Sequence, residues 1–425
     1  MSLNRTIDAL VVGAGPVGLT AALTLARDGR RVEIIEEAQR RTGLSYALAL
    51  HPAALDALGG LGVTPALTAR GNRIDRVAFY EGAVRKADLS LRGLGRAHSY
   101  VVVLPQSELE EILLAALKKE DVEVRWNHRL RLLEDGEAGV ACTIDRIDAD
   151  SSGYAISKVG GVVGKTFERE IPLVLGADGH GSMVRRQLGI ELRPTGPVGT
   201  VAVFELDGAG LPADLLEAEA RSEMRVTFTG GLRTVWWPLP GERTRLGFEL
   251  PADEQRPTAG RDKSRLPSIV PWLASTLDER RLQDLAADRL PWHPAPSGHL
   301  MWSVAVRVER ALADSFGRGR VWLAGDAAHL AFPFGVRSMN EGIVEARELA
   351  ARCGRILAGV EPLATLEAYG KERLAHWRTL LEPERAAAGL MGGDPWLTAN
   401  ASGILETLPM AAEDAEQLLT RVVVA

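Results

Sequence analysis

The sequence has few features that would place the chain outside the ordinary globular proteins. Its 425 residues include two cysteines, Cys142 and Cys353, which lie far apart and outside any CxxC pair, so they predict buried thiols and not a disulfide framework. No apolar run reaches the roughly 18 residues of a membrane-spanning helix, and no secretory signal is visible. We therefore expect a protein of a reducing compartment, located in the cytoplasm.

An excess of charge of one sign is also lacking. The chain has 50 Lys and Arg against 56 Asp and Glu, a formal net charge of −6. Nucleic acids bind to net basic surfaces, so this balance argues against a nucleic-acid partner. The eight histidines form no HExxH motif and no Cys/His pair, which predicts no metal site. With 46% hydrophobic residues, the chain can bury a core of ordinary size.

A βαβ unit is predicted at the start of the chain. The apolar stretch 8–12 is typical of a buried strand, and it leads into a GxGxxG motif at 13–18. The stretch 19–27 has the composition of a packed helix, and 32–36 predicts the next strand, which ends on Glu36. Together these features are a dinucleotide-binding fingerprint, which does not by itself separate FAD from NAD.

Each part of the fingerprint has a physical role. Gly13 permits the tight turn, Gly15 lets the backbone approach a diphosphate, and Gly18 lets helix and strand pack closely. The helix N-terminus offers free N–H groups to the diphosphate. The Glu36 carboxylate can accept hydrogen bonds from ribose hydroxyls, which disfavours a 2′-phosphate there. The residues expected to touch the dinucleotide are Gly13, Gly15, Pro16, Val17, Gly18, Glu36 and Glu37.

The remaining chain predicts an α/β protein with a second, mainly antiparallel sheet. Alternating polarity predicts antiparallel strands over 201–206, 224–228, 234–237 and 245–250. Apolar spacing predicts helices over 51–58, 107–119, 269–285, 340–357 and 362–388. Ser107 is the expected N-cap of the second of these helices. The tail after Gly389 is less regular and has room for a short helix.

Three further motifs carry a resemblance to a known family. They are Pro105-Gln106-Ser107, the Asp-Gly stretch from Gly176 to Arg185, and Gly325-Asp326-Ala327-Ala328-His329. In this order after the fingerprint, they make the chain resemble the FAD-dependent monooxygenases of the aromatic hydroxylase type. The resemblance runs from about residue 10 to 357 and implies a tightly, non-covalently held FAD.

The resemblance assigns roles within these motifs. Asp178 would anchor its loop, and Ser182 and Arg185 would shape the surface for the diphosphate. Asp326 would accept hydrogen bonds from the ribityl hydroxyls, for which a carboxylate is suited because it offers several acceptor sites. The cofactor contacts implied by these motifs are Gln106, Asp178, Gly179, Gly325 and Asp326.

The loop from Phe332 to Asn340 would face the flavin ring. In the resembled family the helix that follows this loop points N–H groups at the N1 and C2=O edge of the ring, where they stabilise negative charge. The cofactor contacts implied here are Pro333, Gly335, Ser338, Met339 and Asn340. Arg337 and Pro333 are the candidate catalytic residues. For Arg337 a role in favouring the anionic reduced flavin stands beside the alternative of an ordinary surface arginine.

Three positions depart from the family pattern. Val336 and Ser338 stand where the family often has glycine, and each places a Cβ beside backbone that is usually bare. Tyr46 lies in a stretch where many relatives have an arginine near the diphosphate. The departure at Tyr46 leaves open how FAD is held and whether it moves.

Aromatic side chains of the second sheet and of the loop are the candidate substrate pocket, since they could stack on a planar substrate. They are Phe204, Phe228, Trp236, Trp237, Phe332 and Phe334. Packing in the core is an equally good interpretation of each one taken alone. The expected segmentation is an FAD domain over 1–72, 99–180 and 300–360, an inserted substrate-binding sheet over 73–98 and 181–299, and a C-terminal helical region over 361–425.

The resemblance implies hydroxylation of an aromatic or other electron-rich small molecule. NAD(P)H, bound transiently, would reduce FAD, and O2 would then react through a flavin hydroperoxide. Two alternatives stay open: a double-bond reductase like the prenyl reductases, and a flavoprotein that binds a ligand without turnover. A homodimer is one of the assemblies open to the chain.

Overall fold

The computed structural model describes residues 7–39, 48–148, 162–207, 218–251, 277–293, 296, 298–382, 394–419 and 422–424. Its helices are α1 (Pro16–Arg27), α2 (Pro52–Gly59), α3 (Thr64–Arg70), α4 (Gln106–Lys119), α5 (Met183–Gln187), α6 (Ala218–Arg221), α7 (Glu279–Arg289), α8 (Arg337–Leu357), α9 (Thr365–Leu380), α10 (Pro395–Thr407) and α11 (Ala412–Leu419). Its strands are β1 (Ala9–Val12), β2 (Val32–Glu36), β3 (Ala49–Leu50), β4 (Asn72–Ile74), β5 (Arg76–Glu81), β6 (Val84–Ser90), β7 (Val101–Val103), β8 (Val124–Trp126), β9 (His128–Asp135), β10 (Val140–Asp148), β11 (Val162–Ile171), β12 (Leu173–Gly176), β13 (Leu192–Pro194), β14 (Gly199–Leu206), β15 (Glu223–Thr229), β16 (Leu232–Pro238), β17 (Thr244–Glu249), β18 (Leu300–Val308), β19 (Ala311–Ala313), β20 (Gly317–Arg318), β21 (Val321–Leu323), β22 (His329–Leu330) and β23 (Val423–Val424).

A six-stranded sheet forms the first layer, in the order β20-β21-β12-β1-β2-β8. Its strands run parallel except for β20 at the edge. Strands β1 and β12 are fully buried, which explains their continuous apolar runs. Helix α1 packs against α4 and α8, and the predicted βαβ unit is present at the start of the described chain.

An eight-stranded sheet forms the second layer, in the order β18-β14-β17-β16-β15-β5-β6-β23. Its neighbours pair antiparallel except for β15 and β5. One face packs on residues of α10 and α11, and the other packs on α7. Because side chains alternate along a strand, Trp237 belongs to the first of these clusters and Trp236 to the second. The predicted fold class, α/β with an additional antiparallel sheet, is confirmed.

One predicted helix start differs from the structure, and another falls outside the described residues. Helix α4 begins at Gln106 after Pro105, with no side-chain cap, so Ser107 lies inside the first turn and is not the N-cap. The first part of the helix predicted over 269–285 lies outside the described residues. The described helix α7 begins after Asp278, whose carboxylate accepts a hydrogen bond from the Arg281 N–H at 2.8 Å. That cap, and not the apolar pattern, sets where α7 starts.

Three features of the structure cross or add to the domain boundaries predicted from the sequence. Strand β18 pairs with β14, so the eight-stranded sheet continues beyond residue 299. Helix α5 contributes Val184 to the core of the parallel sheet. The tail contains two helices, and Val423 of β23 pairs with Asp88 of the eight-stranded sheet. Within the described part of the chain, no helix has the length and apolar character needed to cross a bilayer.

Candidate active site

A cavity of about 400 Å³ lies where the two layers meet. The start of α1, the Asp-Gly loop, the turn at Asp326 and the loop before α8 form one side, and the end of β18 forms the other. The predicted site residues that line it are Gly15, Pro16, Val17, Gln106, Gly179, Asp326, Phe332, Pro333, Arg337, Ser338 and Met339. Motifs that are separated by more than 300 residues of sequence therefore converge on one cavity.

The glycines at the start of α1 have different surroundings. A Cβ on Gly13, which has φ of +103°, would lie 2.2 Å from the Ala177 carbonyl oxygen, and one on Gly18 would lie 2.0 Å from the Gly13 carbonyl oxygen. These two glycines are required by packing. Gly15 lines the cavity and has no atom within 4 Å of an added Cβ, so only a ligand would meet a side chain there.

The acidic residues after β2 differ in role. One carboxylate oxygen of Glu36 accepts from the Ala14 N–H at 2.8 Å and the other from the Ala38 N–H at 2.9 Å. Glu36 therefore fixes the turn before α1, and its oxygens have further lone pairs for a ribose. Glu37 is 64% exposed and lies 3.9 Å from Arg129, away from the cavity.

Asp178 supports the cavity wall without lining it. Its carboxylate accepts from the Ser182 hydroxyl at 2.5 Å and from the Met183 N–H at 2.6 Å, which anchors the loop in the way that the family resemblance implied. Burial raises the pKa of Asp178 above its usual range, against these hydrogen bonds. Arg185 donates to the carbonyls of Ala327 at 2.8 Å and His180 at 2.9 Å, so it joins the Asp-Gly loop to the turn at Asp326.

Asp326 has the environment expected of a residue that binds a ligand. It lines the cavity, and its carboxylate forms no hydrogen bond with any other residue of the described chain. Burial raises the pKa of this carboxyl, because nothing close by fully replaces water around its charge. A half-buried acceptor at this position fits the hydroxyl-bearing ribityl chain of FAD, which would supply the missing donors.

The turn at Gly325 is held from behind by Glu345. The Glu345 carboxylate accepts from the Gly325 N–H at 3.2 Å, from His329 Nε2 at 2.7 Å and from the Trp377 indole at 2.5 Å. Burial opposes ionisation of Glu345, but His329 and these hydrogen bonds hold its pKa below the usual range. The ring centroids of His329 and Trp377 lie 3.6 Å apart in a stacked arrangement, so His329 packs behind the turn as well as hydrogen-bonding to Glu345.

The loop before α8 is fixed by polar contacts with residues of β3 and the start of α2. Asn340 does not line the cavity; its side chain accepts from the His51 N–H at 2.7 Å and donates to the Ala49 carbonyl at 2.9 Å. His51 Nε2 lies 2.7 Å from the Gly335 carbonyl, and burial lowers the pKa of His51 to about 3. A neutral His51 therefore donates to that carbonyl, and the loop is held in one position.

The two departures in this loop have structural explanations. Val336 has a φ of +51°, the left-handed conformation that usually favours glycine, and its side chain is buried in the core beneath the eight-stranded sheet. The Ser338 hydroxyl accepts from the Ala331 N–H at 2.8 Å, which closes the loop on itself. The third departure, Tyr46, lies outside the described residues.

The aromatic candidates are divided between the cavity and the core. Phe332 lines the cavity, and Phe334 packs beneath it with ring centroids 5.2 Å apart. Of the other candidates, Phe204 and Trp236 are fully buried on the far face of the eight-stranded sheet, because they have the opposite strand parity. Phe228 and Trp237 lie on the near face but in its core. The predicted residues that do not line the cavity are Gly13, Gly18, Glu36, Glu37, Asp178, Gly325, Gly335, Asn340, Phe204, Phe228, Trp236, Trp237 and Phe334.

The end of β18 is one part of the site that the sequence did not indicate, and five other lining residues were also not predicted: Ala177, His180, Ala324, Leu330 and Ala331. Val306 and Val308 are buried apolar residues of the cavity wall, and Arg307 and Glu309 pair at 2.9 Å beside them. The alternation of Val304, Val306 and Val308 was the sequence feature that could have indicated an apolar face of a strand at the site. Among the described residues, no group of three or more His, Cys, Asp or Glu could hold a metal ion.

These features are those of a protein that binds FAD. The chain belongs to the FAD binding domain family, whose model matches residues 6–383. The family resemblance inferred from the sequence motifs is thereby confirmed.

Individual relatives agree with this assignment. The chain is 29% identical over 385 residues to a 6-methylpretetramide 4-monooxygenase of Streptomyces rimosus, covering 90% of this chain and 62% of that one. It is 28% identical over 367 residues to an uncharacterized aromatic compound monooxygenase of Bacillus subtilis (strain 168), covering 86% and 65%. The chain thus spans less than two thirds of the length of both relatives.

A solved structure shows the same fold. The crystal structure of p-nitrophenol 4-monooxygenase from Pseudomonas putida DLL-E4 superimposes with a TM-score of 0.73 over 98% of each chain, at 22% identity. At this identity the likeness concerns the fold.

Proposed function

We propose that this protein binds FAD in the cavity and uses NAD(P)H and O2 to hydroxylate an aromatic or other electron-rich small molecule. The observation that carries the proposal is one continuous cavity that joins Gly15, Asp326 and Met339 to an apolar wall of Val306 and Val308. When bound, FAD supplies the redox chemistry of the reaction, since it takes two electrons from NAD(P)H and passes them to O2. One oxygen atom enters the product and the other leaves as water.

The cofactor would lie along the first-layer side of the cavity. Free N–H groups at the start of α1 would bind the diphosphate, and Gly15 leaves room for it. The Glu36 carboxylate would accept from the ribose, and Asp326 from the ribityl hydroxyls. The other proposed cofactor residues either face FAD directly or hold the loops that do: Gly13, Pro16, Val17, Gly18, Gln106, Asp178, Gly179, Gly325, Pro333, Gly335, Ser338, Met339 and Asn340. The exposed Glu37 does not line the cavity and is left out of this set.

The substrate would lie between the flavin ring and β18. Val306, Val308 and Phe332 offer apolar surface, and an aromatic side chain such as that of Phe332 favours stacking on a planar substrate. The pair Arg307 and Glu309 provides polar groups on the same wall. Apolar walls around the reacting atoms would exclude water, which protects the oxygen transfer from competing reactions.

The start of α8 would favour negative charge on the reduced ring. The N–H groups of Ser338 and Met339 belong to the first turn of the helix, where the dipole is positive. Arg337 adds a buried guanidinium to the same wall. Preorganised positive charge of this kind is more effective in a desolvated site than in water. Pro333 shapes the loop that carries these groups.

The test is reduction and oxygen consumption by the purified, FAD-loaded protein. NADH and NADPH are compared as reductants without O2, with and without a panel of phenols. We expect a substrate phenol to accelerate FAD reduction, and O2 admitted afterwards to yield a hydroxylated product. Turnover of an olefin without O2 would instead support the double-bond reductase. Binding of phenols with no turnover under either condition would support a ligand-binding flavoprotein.

We further propose a cytoplasmic location, supported by Cys142 and Cys353, which are both buried free thiols. Assembly as a homodimer stays a prediction, which sedimentation of the FAD-loaded protein would test.

A further inference from the structure

Arg337 is an unusual residue for a cavity wall because its charge is almost entirely desolvated. It is 5% exposed. Its Nη2 donates to the Leu405 carbonyl, whereas its Nε has no hydrogen-bond partner within the described chain. Burial lowers the pKa of Arg337, and the carboxylates of Glu341 and Glu406 oppose that effect. A buried cation of this kind is costly unless a counter-charge is held near it.

Part of that counter-charge comes from the end of α10. The last four carbonyls of a helix lack partners within the helix, and they carry the negative end of its dipole. Leu405, whose carbonyl binds Arg337, is one of these residues. The same helix end touches the loop before α8: a Cβ on Gly335 would lie 2.7 Å from the Glu406 carbonyl oxygen and 2.9 Å from that of Leu408.

The Glu406 side chain fixes this helix end to the eight-stranded sheet. Its Oε1 accepts from Arg310 at 2.7 Å, and its Oε2 pairs with Arg233. Arg233 is also paired with Glu249 at 2.8 Å, and its guanidinium lies 4.1 Å from the ring centroid of Phe332. One carboxylate thus joins α10, the sheet and the aromatic wall of the cavity.

We propose that Glu406 is a positioning residue, which clamps the end of α10 so that the Leu405 carbonyl keeps the Arg337 guanidinium beside the flavin ring. The whole of α10 lies beyond residues 6–383, the part that matches the family model, so the site extends past that part. The inference rests on the proposed FAD site. Without the Glu406 charge, Arg310 loses its ion-pair partner and repels Arg337, and the helix end is released together with its carbonyl.

A double-mutant cycle with E406Q and R337M tests this inference. The readout is the two-electron reduction equilibrium of bound FAD, titrated against a reference dye, which needs no substrate and no turnover. We expect E406Q alone to lower the equilibrium constant for reduction of bound FAD at least about threefold. For a two-electron couple this corresponds to a fall in reduction potential of about 14 mV. In the R337M background we expect the same substitution to change it less than about 1.5-fold.

The matched control is E249Q, which removes the other carboxylate of Arg233 and should lower the melting temperature without moving the equilibrium. Equal shifts from E406Q in both backgrounds would mean that Glu406 acts by its own charge, and that result overturns the proposal. No shift in either background overturns it as well. If the native protein bound no FAD, the proposed function would be contradicted as well. If it bound FAD normally but showed no coupling between Glu406 and Arg337, only the role of Glu406 would be contradicted.

Discussion

The sharpest test of the cofactor site replaces two glycines of the same motif, one at a time. One substitution should weaken FAD binding without loss of stability, and the other should destabilise the fold already without FAD. Gly15 has φ of −74° and ψ of 178°, which any residue can adopt, and an added Cβ meets nothing within 4 Å. Gly15→Ala should therefore leave the FAD-free fold intact. Such a substitution stabilises by about 0.4–1 kcal/mol through the unfolded chain. We expect the melting temperature of the FAD-free protein to stay the same or rise slightly.

FAD binding by the same variant should be damaged. The methyl group added at Gly15 would project into the cavity where the diphosphate is proposed to approach the backbone. Overpacking of a fitted contact costs about 1–3 kcal/mol, which weakens FAD binding about 5- to 150-fold. The assay is titration of the FAD-free protein with FAD, followed by flavin fluorescence.

Gly18→Ala is the matched comparison. Its Cβ would lie 2.0 Å from the Gly13 carbonyl oxygen, so the backbones of strand and helix must move apart. We expect a loss of stability at or above the upper end of the same range of about 1–3 kcal/mol, already without FAD. If Gly15→Ala bound FAD as tightly as the native protein, the diphosphate could not lie on this turn and the reasoning would be refuted.

Three other predictions follow from the site. Asp326→Asn should weaken FAD binding about tenfold or more in the same titration, because a charged acceptor to the ribityl hydroxyls is lost; unchanged affinity would contradict the assignment. The hydrogen bond to Glu341 raises the pKa of His376 above 6.5. Its stabilisation is thus complete below about pH 6.5 and is lost as pH rises through the raised pKa, so His376→Gln should lower the melting temperature more at pH 6 than at pH 9. Phe332→Ala should raise the KM for the aromatic substrate, whereas Trp236→Ala should cost about 3–5 kcal/mol of stability and leave KM unchanged.

The local parts of the site could be predicted from the sequence because neighbouring residues determine them. The turn around Gly13 and Gly15 and the carboxylate of Glu36 depend on the short unit of β1, α1 and β2. Such a unit imposes the same needs wherever it occurs: a bare backbone at the turn and an acidic residue at the end of the next strand. Asp326 is indicated instead by the family resemblance. The structure brings the turn at Gly15 and the turn at Asp326 to one cavity.

The substrate side could not be predicted in the same way. Trp236 and Trp237 point to opposite faces of the eight-stranded sheet, because side chains alternate along a strand. A shift of the strand by one residue would exchange their positions. Val306 and Val308 line the cavity because β18 pairs with β14, about 100 residues earlier in the chain. No local pattern specifies that pairing. The sequence therefore predicted aromatic residues for a wall that Val306 and Val308 form instead.

The loop before α8 shows why the departures from the family pattern do not argue against a flavin site. Val336 occupies a left-handed conformation that costs roughly 1–2 kcal/mol in a residue with a Cβ. Full burial of a Val side chain contributes about 1.5–3 kcal/mol, and that of Val336 is 8% exposed. The packing gain therefore offsets the strain, and glycine at this position would remove both. Gly335 cannot be exchanged in this way, because the end of α10 occupies the space of its Cβ. Gly335 is thus explained by a contact with Glu406 and Leu408, which lie about 70 residues further along the chain.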